Sequence, residues 1–341
     1  MPTTSSSFSP TLEELRRSVD EDLRSFLSVC ARKLPENGVL IEELWRMISA
    51  GGKRLRPAFC YWGYRSGGGR HGLDIVRAAA SLELLHTFAL VHDDIMDASN
   101  ERRGVRTVHS LRGISVAVLA GDLALVLADA RLIESGFSTG PMARAMAAYQ
   151  MMRQEVIAGQ YLDVVAESNL AITEAEARRI AVLKSGRYSI EKPLIIGASL
   201  AGASEEVVAG LAAAGEPLGE AFQFRDDLLG TFGDRPSVGK PVDSDIREGK
   251  RNLLFARTAA ALEGSERDYF VDRWGGGDSL SNVEVERLRS LVESSGARAS
   301  VEELTFELAE EARTRVGAAP ISEESRAALL ALADLSINRL T

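Results

Sequence analysis

The sequence predicts an all-α protein. Apolar residues recur every three to four positions along most of the chain, beginning with Leu12, Leu15 and Val19, and this spacing lines one face of a helix. Runs of alternating β-branched residues between tight-turn dipeptides, which indicate strands, are almost absent from the sequence. With 45% hydrophobic residues, the chain has enough apolar side chains for a large helical core.

Local signals place the individual helices. The first helix opens after Pro10 and Thr11. Pro57 and Pro141 suit first helical turns, where no backbone N–H is needed, and Pro193 predicts a kink or a restart. The apolar period predicts helices over about 12–34, 39–50, 57–65, 74–97, 113–135, 142–167, 174–188, 190–202, 205–230, 252–263, 283–295, 300–314 and 322–339.

The domain organisation predicted is simple. Residues 1–10 are polar and read as a disordered tail, and residues 11–341 form a single domain because no linker composition divides them. The glycine-containing stretch 264–282 is interpreted as an insertion or a mobile loop. Gly67–Gly72 satisfies the dinucleotide fingerprint G-x-G-x-x-G, but no neighbouring strands predict the parallel sheet which that motif requires, so a flexible loop is the better interpretation.

Charge and composition exclude several classes. The chain has 40 basic and 49 acidic residues, a net charge of −9, whereas a general nucleic-acid binder carries a basic surface. The most apolar stretch, 116–130, contains Asp122 and Asp129, so no membrane span is expected. Two cysteines, Cys30 and Cys60, cannot form a disulfide framework. We therefore expect a soluble, cytoplasmic protein.

Two aspartate-rich helix ends carry the first chemical signal. Asp93 and Asp97 are four residues apart and share a helix face, with Asp94 on the flank. Asp226 and Asp227 repeat the pattern after a second apolar helix. Such a patch can simply be solvated, but two acidic clusters facing one cavity can hold divalent cations around a diphosphate, since magnesium prefers oxygen ligands and substrate phosphates.

Basic residues close to these aspartates suggest an anion site. A glycine-opened turn, GGKRLRP, carries Lys53, Arg54 and Arg56. Arginine and lysine are the usual partners of phosphate groups. Three arginines follow the first aspartates: Arg102, Arg103 and Arg106. Five more basic residues come later in the chain and lie either on the surface or at the site: Lys184, Arg187, Lys240, Lys250 and Arg251.

Together these motifs resemble those of the trans-isoprenyl diphosphate synthases, or polyprenyl synthetases. The resemblance covers about residues 40–255. It rests on Asp93–Asp97 followed by Arg102-Arg103-Gly104, on Asp226-Asp227, and on GGKRLRP. Three shorter motifs occur in the family's order: Gly159–Asp163, Lys184–Gly186 and Gly239–Pro241.

The resemblance implies a fold and a reaction. The fold is an isoprenoid synthase-like bundle of long antiparallel helices around a central cavity, usually as a homodimer. About three magnesium ions would bridge the aspartates and an allylic diphosphate, either dimethylallyl, geranyl or farnesyl diphosphate. Loss of diphosphate leaves an allylic cation, which the alkene of isopentenyl diphosphate attacks before losing a proton.

The resemblance also assigns residues to roles. The catalytic acids would be Asp93, Asp94, Asp97, Asp226 and Asp227, with Asp93, Asp97 and Asp226 as metal ligands. The diphosphate of isopentenyl diphosphate would bind Lys53, Arg56, His86 and Arg103. The allylic diphosphate would bind Arg102, Lys184, Ser185, Gln223, Lys240 and Lys250.

The chain departs from the family pattern at a few positions. Gly230 stands where many members carry a third aspartate, so either a water or Asp234 would replace that carboxylate. Ser185 stands where threonine is common, and Arg106 where proline is common. None of these changes removes an aspartate that binds metal, and activity is still expected.

The length of the product is predicted from the helix that precedes the first aspartates. In the family the cavity floor lies one or two turns earlier on this helix, at Leu85, Phe88 and Ala89 here. One aromatic residue, rather than two, resembles the geranylgeranyl diphosphate synthases and predicts a twenty-carbon product. Phe88 could instead pack in an ordinary core, and a farnesyl or longer-chain synthase is the alternative.

Three other functions fit part of the sequence. His92-Asp93 resembles the metal pair of an HD-type phosphohydrolase, which would need further histidine ligands. A class I terpene cyclase also ionises diphosphates, but it would not need the GGKRLRP turn. A non-catalytic regulatory subunit of a heteromeric synthase would usually have lost aspartates.

Overall fold

The computed structural model describes residues 10–233 and 243–337 and confirms the all-α prediction. The helices in these ranges are α1 (Leu12–Lys33), α2 (Gly38–Ser49), α3 (Leu55–Ser66), α4 (Leu73–Met96), α5 (Val108–Arg112), α6 (Ile114–Ile133), α7 (Thr139–Ala166), α8 (Glu174–Ala181), α9 (Lys192–Leu200), α10 (Glu205–Phe232), α11 (Ser244–Glu248), α12 (Leu253–Ala261), α13 (Gly264–Arg273), α14 (Asn282–Ser294), α15 (Ala297–Ala318) and α16 (Glu323–Ile337). Residues 1–9, predicted as a tail together with Pro10, lie outside the described ranges.

Short irregular elements connect some of these helices. Two-residue strands β1 (Glu101–Arg102) and β2 (Val105–Arg106) pair antiparallel. A π-helical segment, Val182–Glu191, joins α8 to α9 without a break, where the sequence predicted two helices that meet near residue 189. Pro193 lies in the first turn of α9, at the predicted restart.

Several helices begin with reciprocal caps that the sequence encodes locally. At the start of α1, the side chain of Thr11 accepts the N–H of Glu14, and the Glu14 carboxylate accepts the N–H of Thr11. Ser281 and Glu284 form the same capping box before α14. Each box satisfies backbone donors that a helix start leaves without an internal partner, which fixes where the helix begins.

The fold divides into two compact units. The first comprises the chain up to Tyr149 together with Pro193–Leu211 and Ala319–Leu332, and the second comprises Gln150–Lys192, Ala212–Ala318 and the chain from Ala333. The single domain over 11–341 stays a prediction.

In the first unit, α4 is the central core helix. Within the described residues it is the one helix long and apolar enough to span a membrane, and 67% of that apolar window is buried inside the protein. Two other helices of this unit also pack closely: a Cβ at Gly63 of α3 would lie 2.9 Å from the Cα of Leu194 in α9. Small residues at such crossings allow the helices to approach closely.

In the second unit, an aromatic cluster corrects one prediction. The stretch 264–282 was predicted as an insertion or a mobile loop, but it contains α13, whose Phe270 is fully buried and stacks on Phe255 at 5.4 Å. Trp274 packs against Phe270 at 5.1 Å. Phe270 and Trp274 are four residues apart, so both face the core, and the three glycines after them masked this pattern.

Candidate active site

The first aspartate cluster lies at the carboxyl end of α4. Asp93 and Asp94 occupy the last turn, and Asp97 follows directly, its backbone N–H donating to the carbonyl oxygen of Asp93 at 2.8 Å. A helix carries partial negative charge at this end, so three carboxylates there favour the approach of cations.

Arg102 supplies one such cation. Its Nε donates to Oδ1 of the buried Asp94 at 2.7 Å, and its Nη2 lies 3.7 Å from Oδ2 of Asp93. Burial alone would lower the pKa of the Arg102 guanidinium, but the charges of Asp94 and Asp93 outweigh it and raise that pKa. The arginine therefore stays charged and cancels part of the repulsion between the aspartates.

A tight hairpin brings Arg102 to the aspartates. Between β1 and β2, Arg103 and Gly104 have φ angles of 54° and 75°, which correspond to the left-handed two-residue turn of a β-hairpin. Arg102 is the last residue of β1 and Arg103 the first residue of the turn, so their side chains point in different directions. While Arg102 meets the aspartates, Arg103 donates to the carbonyl oxygen of Gly51 in the GGKRLRP turn.

Within the GGKRLRP turn, Arg54 has a structural role that the sequence did not reveal. Its guanidinium bonds Asp20 on α1 at 2.7 Å and Glu83 on α4 at 2.8 Å. It also donates to the carbonyl oxygens of Ile48 and Gly51. Arg54 is 4% exposed, so it anchors the turn, whereas Lys53 is exposed and Arg56 is half-buried.

His86 lies on α4, two turns before the first aspartates. Burial lowers its pKa well below the ordinary value, and the positive charges of Arg56, Arg103, Arg102 and Arg54 act in the same direction. His86 is therefore a neutral hydrogen-bonding group at pH 7. His86 and the four arginines around it form a basic cluster in a chain whose net charge is −9.

The predicted floor residues occupy the preceding turns of α4. Leu85 is fully buried, while Phe88 and Ala89 are half-buried. The ring of Phe88 meets that of His92 edge-on at 4.9 Å between centroids, and Nε2 of His92 lies 3.1 Å from the carbonyl oxygen of Val118 on α6. Phe88 thus has a fixed packing partner, and its role as a floor stays a prediction.

The second aspartate cluster lies near the end of α10. Burial raises the pKa of the Asp227 carboxyl well above its usual range, and the negative charges of Asp245, Asp226 and Asp163 also raise it. A hydrogen bond from Nε2 of Gln223 to Oδ1 of Asp227, 2.7 Å long, opposes this shift. Several carboxylates therefore crowd one place, which favours a bound cation.

Lysines accompany the second cluster as well. Nζ of Lys184 bonds Oδ2 of Asp163 at 2.6 Å, and Nζ of Lys250 lies 3.4 Å from the same oxygen. Asp163 belonged to a recognised motif but received no role from the sequence, because only the fold brings it to both lysines. The π-helical segment presents Lys184 beside the half-buried Ser185, and such segments are frequent at functional sites.

Gly159 makes the approach to Lys184 possible. A Cβ at this position of α7 would lie 2.6 Å from the Cα of Lys184, so only glycine lets α7 pack this closely on the π-helical segment. The predicted ligand Lys240 and the alternative acid Asp234 lie outside the described residues. Among the described residues, no three metal-ligating side chains form a ready-made metal site.

The chain is all-helical, and each of its two aspartate clusters lies beside basic residues. This combination is typical of the prenyl diphosphate synthases. The family profile of polyprenyl synthetase matches residues 38–289, and the chain belongs to this family. It is a trans-prenyltransferase, an isoprenyl diphosphate synthase, which excludes the phosphohydrolase and cyclase alternatives.

Individual relatives cover nearly the whole chain. The chain is 33% identical over 330 residues to the short chain isoprenyl diphosphate synthase of Methanothermobacter thermautotrophicus, which covers 96% of this chain and 97% of that protein. It is 34% identical over 329 residues to the geranylfarnesyl diphosphate synthase of Aeropyrum pernix, covering 94% of this chain and 99% of that one.

A solved structure shows the same fold. The geranylgeranyl pyrophosphate synthase of Corynebacterium glutamicum, crystallised with isoprenyl diphosphate and magnesium, superposes with a TM-score of 0.92 at 33% identity. The match covers 97% of this chain and 100% of that one.

Proposed function

We propose that this prenyltransferase condenses isopentenyl diphosphate with an allylic diphosphate and releases geranylgeranyl diphosphate, using magnesium. The observation that carries the proposal is the end of α4, where Arg102 bonds Asp94 and lies beside Asp93. An arrangement of clustered carboxylates with a buried arginine is suited to a metal-bound diphosphate, because it offers oxygen ligands and an anion partner together.

The donor chemistry fits magnesium. Asp93, Asp97 and Asp226 offer hard oxygen ligands, and magnesium is usually bound by one or two carboxylates with waters and substrate phosphates completing its shell. A closed protein cage is therefore not needed. When bound, magnesium neutralises charge that develops on the departing diphosphate. Asp94 and Asp227, both buried, would support the ligands beside them.

Basic side chains would then hold the allylic diphosphate. We assign this role to Arg102, Lys184, Lys240 and Lys250, with Ser185 and Gln223 as hydrogen-bonding partners; Lys240 lies outside the described residues. In the structure three of the cations already neutralise carboxylates: Arg102 at Asp94, and Lys184 and Lys250 at Asp163. Their charges stabilise the leaving group as its bond to carbon breaks.

A separate basic group would hold isopentenyl diphosphate. Arg56, Arg103 and the neutral His86 share one neighbourhood, and the exposed Lys53 comes three residues before Arg56. A neutral imidazole can donate a hydrogen bond to a phosphate oxygen without adding to the repulsion between the arginines. With the two diphosphates bound at separate groups of residues, only the allylic substrate would contact the metal.

The twenty-carbon product is proposed from α4. Phe88 is the aromatic residue one to two turns before Asp93, and the small Ala89 follows it. Sequence identity does not decide product length, since geranylfarnesyl, geranylgeranyl and farnesyl diphosphate synthases match at 34%, 35% and 32%. A farnesyl synthase is less well supported, because only one aromatic residue stands in the two turns before the first aspartate cluster. A non-catalytic subunit is less well supported, because both clusters keep their paired aspartates.

We further propose that the enzyme is a cytoplasmic homodimer. Neither Cys30 nor Cys60 forms a disulfide, as is usual in a reducing compartment. On α6, the apolar side chains of Leu119, Val126 and Ile133 are 55%, 62% and 59% exposed, and their seven-residue spacing places them on one helix face. An exposed apolar face of this kind is suited to packing against a second copy of the chain.

Replacement of the proposed metal ligands tests the assignment. Asp93→Asn, Asp97→Asn and Asp226→Asn should each lower kcat by about a hundredfold or more in saturating substrate, because each loses charge stabilisation of the leaving diphosphate. The exposed Asp272 on α13 gives the matched control Asp272→Asn, which should retain wild-type kcat. Variants that keep kcat within a few-fold of wild type would contradict the assignment.

A further inference from the structure

The hairpin that brings Arg102 and Arg103 to the proposed site is too small to hold its own position. Each of its strands has two residues, and an isolated two-stranded hairpin is at best marginally stable in water. Its base is closed by the N–H of Thr107, which donates to the carbonyl oxygen of Asn100 at 3.0 Å. Contacts with neighbouring helices must therefore determine where the two arginines lie.

One of these contacts comes from α2. Nη1 of Arg46 donates to the backbone carbonyl oxygen of Arg106 in β2 at 2.7 Å. Arg106 pairs with Glu101, the residue directly before Arg102 in β1. Because the bond goes to a backbone oxygen, it is compatible with the departure at position 106, where the family commonly has proline. A contact on β2 therefore also fixes β1, which carries the arginine that bonds Asp94.

A buried carboxylate orients Arg46. Glu43 lies one turn earlier on α2 and is 1% exposed. Its Oε2 accepts a hydrogen bond from Nε of Arg46 at 2.7 Å and lies 2.6 Å from Nη2 of the same residue. Since the guanidinium group is planar and rigid, binding of these two nitrogens to the carboxylate fixes the direction of Nη1, which reaches the hairpin.

The same carboxylate binds a second arginine, which does not contact the hairpin. Nε of Arg112 on α5 donates to Oε1 of Glu43 at 2.8 Å. Within residues 10–233 and 243–337, Glu43 is the hydrogen-bonding and ion-pair partner of the exposed Arg112 side chain. Two arginines thus neutralise one buried carboxylate, and only Arg46 connects it to β2.

We infer that Glu43 and Arg46 are positioning residues for the prenyl transfer reaction, which hold the hairpin where Arg102 and Arg103 can each meet a diphosphate. The inference rests on the roles proposed for these two arginines. If the hairpin is loosened, part of the binding energy of each diphosphate is used to order it, so both substrates bind more weakly. Once bound, the substrates themselves hold the arginines, and kcat changes less than KM.

Three variants of the full chain test this inference. Arg46→Met removes the donor to Arg106 and leaves Glu43 paired with Arg112. Arg112→Met is the matched control, because it leaves Glu43 paired with Arg46 and keeps the contact with the hairpin. Glu43→Gln removes the charge that orients Arg46.

Each variant is compared with the wild type by three measurements. Hydrogen–deuterium exchange of the peptide 100–107 reports the opening of the hairpin. Titration calorimetry with isopentenyl diphosphate, without magnesium, measures binding at the group that includes Arg103. Steady-state kinetics give kcat and a separate KM for isopentenyl diphosphate and for the allylic diphosphate.

We expect Arg46→Met and Glu43→Gln to make the exchange of the hairpin at least fivefold faster. Both variants should weaken binding of isopentenyl diphosphate about tenfold and raise both KM values about tenfold, with kcat within about threefold of wild type. Arg112→Met should stay within twofold of wild type in every measurement.

Two results would overturn the inference. One is an Arg46→Met variant whose hairpin exchange and KM values stay within twofold of wild type, whatever its melting temperature. The other is an Arg112→Met variant that raises both KM values as much as Arg46→Met does, since the loss of charge beside Glu43 would then be the cause. Failure of the proposed function is a different result: the wild-type chain would bind no isopentenyl diphosphate and form no product, while the exchange measurement would still compare the variants.

Discussion

At the scale of single residues, the ion pair between Arg102 and Asp94 connects the stability of the fold to the proposed catalysis. Asp94 is 1% exposed and the side chain of Arg102 is 11% exposed, so removing one partner leaves a buried charge without compensation. We predict that Arg102→Gln lowers the free energy of unfolding by about 3 kcal/mol and also lowers kcat/KM. Urea denaturation and steady-state kinetics measure the two effects.

Controls separate the two roles of Arg102. Arg16→Gln breaks an exposed pair with Glu13 and should cost only about 0.5 kcal/mol. The double variant Arg102→Gln/Asp94→Asn has no buried charge left, so stability should return while activity stays low. Recovery of activity in the double variant would show that Arg102 acts through Asp94 alone.

His86 gives a prediction about pH. Its folded pKa lies well below the ordinary 6.5, first because it is buried and then because Arg56, Arg103, Arg102 and Arg54 repel a further positive charge. The neutral His86 therefore costs the folded chain no stability above pH 6.5. As the pH falls below 6.5, the free energy of unfolding decreases, because the unfolded chain binds a proton at this histidine more readily than the folded chain does. Proton NMR of the imidazole, assigned with His86→Gln, should show no titration near pH 6.5. A midpoint at or above 6.5 would contradict this account.

The charged residues proposed for the site can be named from the sequence, whereas their contacts cannot. Asp93, Asp227 and Arg102 follow from spacing and resemblance, because residue type alone limits what they can bind. The internal role of Arg54 and the bond from Arg46 to the hairpin depend on contacts between distant segments. Such contacts leave no local pattern in one sequence.

At the scale of elements, the hairpin between β1 and β2 determines where two arginines point. Gly104 has a φ of 75°, which costs an ordinary side chain about 1–2 kcal/mol. We predict that Gly104→Ala lowers the melting temperature and lowers kcat/KM about tenfold, while Gly104→Asn keeps most of both, because asparagine tolerates this backbone conformation. Gly38→Ala is the control, since Gly38 has a φ of −53° and open space around it. Equal effects of alanine and asparagine at position 104 would exclude backbone strain as the cause.

Helices with a regular apolar period were predicted to within a few residues, whereas irregular elements were missed. The hairpin has only two residues in each strand, too few to show alternation. The charged sequence around Asp268 hides Phe270 on α13 and Trp274 directly after it, which are both buried against α12. The sequence therefore predicts the length of helices and not the tertiary contacts that stabilise short ones.

At the scale of the whole molecule, the exposed apolar face of α6 predicts self-association. We expect the purified chain to have a mass of twice 36.8 kDa in light scattering after gel filtration. Val126→Glu, at a position 62% exposed, should shift the mass toward the monomer, while Val283→Glu, at a position 79% exposed on α14, should not. A wild-type monomer, or a dimer unaffected by Val126→Glu, would contradict the proposed interface.

The measurement that tests the central claim most directly uses the purified wild-type chain alone. Isopentenyl diphosphate is supplied with dimethylallyl, geranyl or farnesyl diphosphate, with magnesium or with a chelator, and products are identified by mass spectrometry. The account predicts a twenty-carbon diphosphate that forms with magnesium and disappears when the metal is chelated. Condensation with none of the three primers would contradict it.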